Sequence, residues 1–228
     1  MNWFTTTFSS SLGKKLIMSL TGLFLIIFLI GHAAGNLLLF KGDGGQAFNE
    51  YAHFMSTNQL VFILRVLTFT SVIFHLIYSI ILTKNNKEAR PVGYAVRKPS
   101  PGTSWMSRNM GILGFLILVF LVIHLRTFLY EMQFGDVPYV TYESGQVKDL
   151  YAIVTEAFSM LWYSALYVIF MIGLAFHLAH GFHSSFQTLG VRHAKYTPII
   201  KKAGIAFAII IPAIFASMPI YIFIKSLG

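Results

Sequence analysis

The chain contains no cysteine. That excludes disulfides, iron–sulfur ligation and thiolate ligation of any metal within it. An iron centre here would have to use histidine or methionine. Charge is scarce as well: 11% of the 228 residues are charged and only 8 are acidic, while 56% are hydrophobic. No ordinary soluble domain has that composition. The net charge of +9 does not make nucleic acid an expected partner, because basic residues in a membrane protein usually record topology.

What the chain has instead is apolar runs. Residues 157–191 pass between Glu156 and Arg192 without one formal charge. About 20 residues already cross the hydrocarbon core, so this stretch belongs in a bilayer. Five such runs occur, at about 16–40, 60–83, 109–130, 158–186 and 203–224, the last holding Pro212 and Pro219, which are expected to bend it. They predict an all-α fold: a single transmembrane domain over 1–228, built as a five-helix bundle. The first run is too long for a signal-peptide core, so no cleaved leader is expected. With the N-terminus inside, the inner segments carry twelve Lys and Arg against one acid, Glu88, and the outer side five against seven acids. The N-terminus is therefore expected to be cytoplasmic. The basic 84–108 connection is long for a mere link and suits a peripheral partner.

Ionisable groups at membrane depth are functional candidates. Each of the first four runs offers at least one histidine. At 1.5 Å per residue, His32 and His124 lie about 24 and 22 Å above the inner face, and His75 and His177 about 12 Å above it. Two levels of two histidines would suit two bis-histidine haems b, with His32 and His124 outer and His75 and His177 inner. Small residues flank the candidates at helical spacing: Gly173 and Gly181 about His177, Ser71 and Ser79 about His75, and Gly35 after His32. A ring nitrogen between glycines leaves a flat slot. His180 is nearly on the face of His177 and competes with it, or hydrogen-bonds a haem propionate. His183 points away and is expected to be interfacial. Arg65 and Arg126 either meet outer propionates or snorkel to headgroups. Glu50 and His53, in FNEYAHF, are candidates for handling quinone protons.

The arrangement resembles the dihaem cytochrome b membrane-anchor subunit of succinate dehydrogenase and fumarate reductase, the five-helix type. The resemblance covers essentially the whole chain. It is carried by SLTGLFLIIFLIGHAAGN, by the lone His75 and the lone His124 of their runs, and by FHLAHGFHSSFQTLG. In the family's pattern the histidine after Phe is the ligand, here His177, and an Asn often stands where this chain has His180. The resemblance implies ligand pairs between helices I and III and between II and IV. It also implies a flavoprotein subunit and an iron–sulfur subunit on the cytoplasmic face of a bacterial inner membrane. Electrons would pass to or from a quinone, menaquinone for the dihaem type, and the dicarboxylate chemistry would belong to a partner subunit. Two other classes fit the composition: a cytochrome b serving a hydrogenase or formate dehydrogenase, and a small transporter relaying protons through its histidines.

Overall fold

The computed structural model describes residues 9–89 and 104–228. Arg90, Arg97 and Lys98, and with them most of the basic 84–108 connection, lie outside the described residues. Among the described residues, five helices are long and apolar enough to cross a membrane. The first, α1 (Ser11–Asn36), is capped by Ser10, whose hydroxyl accepts from the Gly13 amide, and runs on as a tight turn over Leu37–Phe40. A short α2 (Gln46–Thr57) precedes α3 (Gln59–Glu88), whose first turn is capped by Asn58. After the single turn α4 (Trp105–Arg108) comes α5 (Met110–Phe134). The last two are α7 (Leu161–Thr188), preceded by α6 (Leu150–Ser159), and α8 (Thr197–Lys225).

These helices overrun the apolar runs. α3 continues five residues past Thr83, ending in an exposed Lys84–Glu88 pair one turn apart. α8 begins at Thr197, where Pro198 at the first turn has no N–H to lose. It runs on through Pro212 and Pro219, both buried. The fourth run is broken at Met160, whose extended backbone divides α6 from α7, and the Ser164 hydroxyl donates to the Phe158 carbonyl across that break (2.7 Å).

The all-α expectation needs one amendment. Tyr139–Tyr142 (β1) and Gly145–Lys148 (β2) pair antiparallel around a two-residue turn, Glu143 and Ser144, with Gly145 at φ +120° where a side chain would be strained. The hairpin is tied to α2 and α6 through Asn49, which has no exposed surface. Its amide nitrogen donates to the Tyr142 hydroxyl (3.1 Å) and the Asp149 carboxylate (2.8 Å), and its oxygen accepts from the Tyr151 amide (2.8 Å). Gly45, with φ +92°, leaves room for the Tyr151 ring. Together α2, the hairpin and α6 form a cap over one end of the bundle.

α7 is the central helix. It packs on α8, α1 and α5, while α3 leans on α1. One apolar cluster, with Ile26, Phe170, Leu174 and Ala208, lies among α1, α7 and α8; another, with Leu39, Phe48, Phe158 and Met218, joins the bundle to the cap. α3 and α5 are peripheral: each contributes one buried residue, Ser71 and Leu113. Their remaining faces are apolar and open, as lipid-facing helices require.

Candidate functional site: two histidine pairs

Four helices bring four imidazoles together in two pairs. The rings of His32 on α1 and His124 on α5 lie 5.8 Å apart between centres. Those of His75 on α3 and His177 on α7 lie 6.4 Å apart. Each pair joins helices that are not themselves closely packed, since α1 packs on α3 and α7, and α5 on α7. The pairs therefore bridge the two diagonals of a four-helix group.

Two independent rulers give the separation of the pairs. On α1, Thr21 touches His75, its hydroxyl 3.2 Å from Nδ1. His32 lies eleven residues further along the same helix, or about 16 Å. On α7, the Tyr167 hydroxyl lies 3.4 Å from Nδ1 of His124. His177 follows ten residues later, about 15 Å along. The two helices agree. The separation exceeds the ~10–12 Å reckoned from run ends.

Three of the four rings are held at Nδ1. Thr21 holds His75, Tyr167 holds His124, and the Asn36 amide lies 3.4 Å from Nδ1 of His32 while donating to the His32 carbonyl (2.7 Å). An imidazole that donates from Nδ1 to a hydroxyl, as at His75 and His124, keeps Nε2 as an acceptor for a second partner. Behind Tyr167 the polar chain continues: its hydroxyl is 3.2 Å from that of Tyr163, which donates to the Thr127 hydroxyl (2.7 Å). Thr127 lies in a π-helical turn, Leu125–Tyr130, that begins directly after His124. Such turns often mark functional positions. Among the described residues, Nδ1 of His177 is the one buried side-chain nitrogen or oxygen without a hydrogen-bond partner. Orphaned buried polar atoms are rare enough to call for a ligand or another explanation.

The pair of His32 and His124 is walled by aromatic rings. Phe28 stacks on His32 at 5.2 Å, Phe215 lies 5.6 Å from it, and Phe120 and Phe128 flank His124 at 5.4 and 5.3 Å. At the other pair the neighbours are small and polar. A Cβ on Gly22 would come within 3.2 Å of the His75 ring, so the glycine lets that imidazole approach α1. Ser71 is buried one turn before His75, and the Ser79 hydroxyl one turn after it donates to the Leu76 carbonyl.

Two of the flanking glycines, Gly173 and Gly35, do a different job from the slot expected of them. The space over Gly173 is taken by Leu116 of α5, which a Cβ would meet at 2.6 Å, and the space over Gly35 by the Tyr51 ring of α2. Both admit a neighbouring side chain. Only Gly181 stays open, with the Met110 methyl 4.0 Å from where its Cβ would be. His180 is half-buried and has no ring contact among the described residues, whereas His183 borders a cavity between α7 and α8. Arg126 is turned to the surface, paired with Glu131 and lying over the Tyr130 ring, and Arg65 lies over Phe62.

Glu50 and His53 are on α2, in the cap. Glu50 accepts from the Ser144 hydroxyl and the Gln46 amide, and these bonds, Ser144's first, hold its carboxyl below the ordinary range for a glutamate. The His53 side chain is exposed. Thr21, Gly22 and Tyr167 are not singled out by the sequence, whereas Asn36 follows Gly35 there as a neighbour of His32 at helical spacing. Each of those three lies on a helix that also bears a ligand candidate, but meets a histidine of a different helix, which no local spacing records.

Fold and site thus define a multi-helix protein, suited to spanning a membrane, with two histidine pairs at different depths. Compared with known proteins, the chain matches no family model, no curated protein and no solved structure.

Proposed function

We propose that this chain is the dihaem cytochrome b membrane anchor of a succinate dehydrogenase or fumarate reductase, conducting electrons between an iron–sulfur subunit and a membrane quinone, menaquinone for this type. The observation that carries the reading is the spacing of the two histidine pairs. An imidazole nitrogen binds a metal at about 2.0 Å and lies about 1.1 Å from its own ring centre, so two rings on one iron stand roughly 6.2 Å apart between centres. The pairs, at 5.8 and 6.4 Å, bracket that value. The angle between ring planes is free, because each ring can rotate about the shared axis. Neither pair has a third protein donor: among the described residues no three of His, Cys, Asp and Glu cluster to hold a metal. Two imidazoles alone suit a metal whose other four ligands come from a macrocycle.

When bound, each haem would supply a site that takes up and releases one electron. The chain's own residues supply the rest. His32 with His124, and His75 with His177, would hold the irons. Thr21 and Tyr167 would accept from Nδ1–H of His75 and His124, fixing the tautomer that leaves Nε2 for iron. The phenylalanines around His32 and His124 exclude water there. The charge asymmetry supports a cytoplasmic N-terminus in a bacterial inner membrane. The flavoprotein and iron–sulfur subunits would then dock on the side of His75 and His177.

The direct test is spectroscopic. The purified chain, reduced anaerobically with a menaquinol analogue, is expected to develop a b-type α band. A chain that binds no haem sinks the proposal. Tyr167→Phe provides a finer test. It is expected to keep both haems and to raise one of two midpoint potentials by about 20–60 mV, because a lost Nδ1–H contact makes the ligand less basic. Two unshifted potentials would remove Tyr167 from this role.

A further inference from the structure

Where α7 ends and α8 begins, His183, Gln187, Arg192, Thr197 and Lys201 surround a cavity of about 80 Å³. The chain reverses there through Gly190 (φ +78°), and the Arg192 amide donates to the Gly190 carbonyl (2.8 Å), folding that residue back beside the helix ends. Thr197 opens α8, its hydroxyl accepting from the His193 amide (3.1 Å). The positive end of this 29-residue helix dipole adds to the two cations.

No acid of the chain's own balances them. Residues 157–228 contain no Asp or Glu. Among the described residues neither Arg192 nor Lys201 has an ion-pair partner. The cavity is also separate from the histidine pairs. His183 follows His177 by six residues, which at 100° per residue places it about 120° away around α7. The Ser19 hydroxyl donates to the Ser185 carbonyl (2.8 Å), so the cavity is level with the first turns of α1, at one end of the bundle. A membrane surface would lie there.

We infer that this cavity binds the phosphate of an anionic phospholipid headgroup. A phosphate offers acceptors to Arg192, Lys201, His183 and Gln187 at once, and its charge is the one the site lacks. The rest of the lining favours a phosphate carried on acyl chains over the free ion. Phe186 and Ile200 form an apolar wall, and Ile205 and Ile209, one turn apart on α8, present open apolar surface below it. The inference is independent of haem binding.

The test uses the full chain in phosphatidylcholine nanodiscs doped with phosphatidylglycerol, with bound lipid counted by native mass spectrometry. Wild type is expected to retain phosphatidylglycerol in preference to phosphatidylcholine. The R192Q/K201Q variant is expected to lose that preference by about twenty-five-fold, roughly fivefold for each charge. A K84Q/K87Q variant, altered at the exposed end of α3, should keep it and controls for general surface charge. Inorganic phosphate at millimolar concentration should leave the bound lipid in place. Complete displacement by phosphate would overturn the lipid assignment in favour of a free-anion site. Equal retention of phosphatidylglycerol by wild type and R192Q/K201Q would overturn the site itself.

Discussion

His124→Ala is expected to remove one of two haems and leave the other. His32→Ala should remove the same one, because its ring shares that site at 5.8 Å, and the double variant should lose nothing more. His75→Ala and His177→Ala should both remove the other haem, whose two imidazoles lie 6.4 Å apart. The pattern is non-additive within a pair and additive between pairs, since each pair acts as a unit and the two are about 15 Å apart along α7. Combining His32→Ala with His75→Ala should therefore leave none. His180→Ala should keep both, because His180 has no ring contact with either pair. Haem content after purification, read with the residual reduced spectrum, checks the series. Loss of a haem in His180→Ala beside retention of both in His177→Ala would reassign the ligand. Loss of both haems in every single variant would contradict two separate sites.

Asn49→Leu is the substitution expected to cost most outside the pairs. The side chains are similar in size, so the change removes hydrogen bonding and little volume. It strips the Tyr151 amide and the Asp149 carboxylate of a buried partner and frees the Tyr142 hydroxyl. A buried group left unsatisfied costs about 1–3 kcal/mol; the Asp149 carboxylate still accepts from the Ala152 amide, so a total of roughly 2–3 kcal/mol is expected. The loss falls on the cap, which those bonds hold to α2. Hydrogen exchange should quicken in Tyr139–Tyr142 and Gly145–Lys148 while α1 and α7 stay protected. Unchanged exchange in the hairpin would show that apolar contacts alone hold the cap.

The two regions differ in how far the sequence revealed them. The bundle was legible because a span needs about 20 apolar residues and nothing else in a chain looks like that. All five runs became helices. The pairing of histidines by depth was legible too, because a helix rises steadily and its depth can be counted. The cap was not. α2 and the hairpin are short, and their stability comes from Asn49 reaching partners about a hundred residues away, which no local pattern records. Contacts across helices were hidden for the same reason. Nothing in the spacing of α1 shows that Thr21 and Gly22 meet a histidine of α3, or that Tyr167 of α7 meets one of α5. Gly173 shows the opposite hazard: a small residue on a helix face admits either a ligand or a neighbour, and here Leu116 takes the space.

Haem quantification by pyridine haemochrome on the purified chain reaches the central claim most directly. On the proposed reading, the two imidazole pairs predict two haems b for each polypeptide. A value of two supports the electron-conducting anchor. A chain that is folded, helical and free of haem would contradict it.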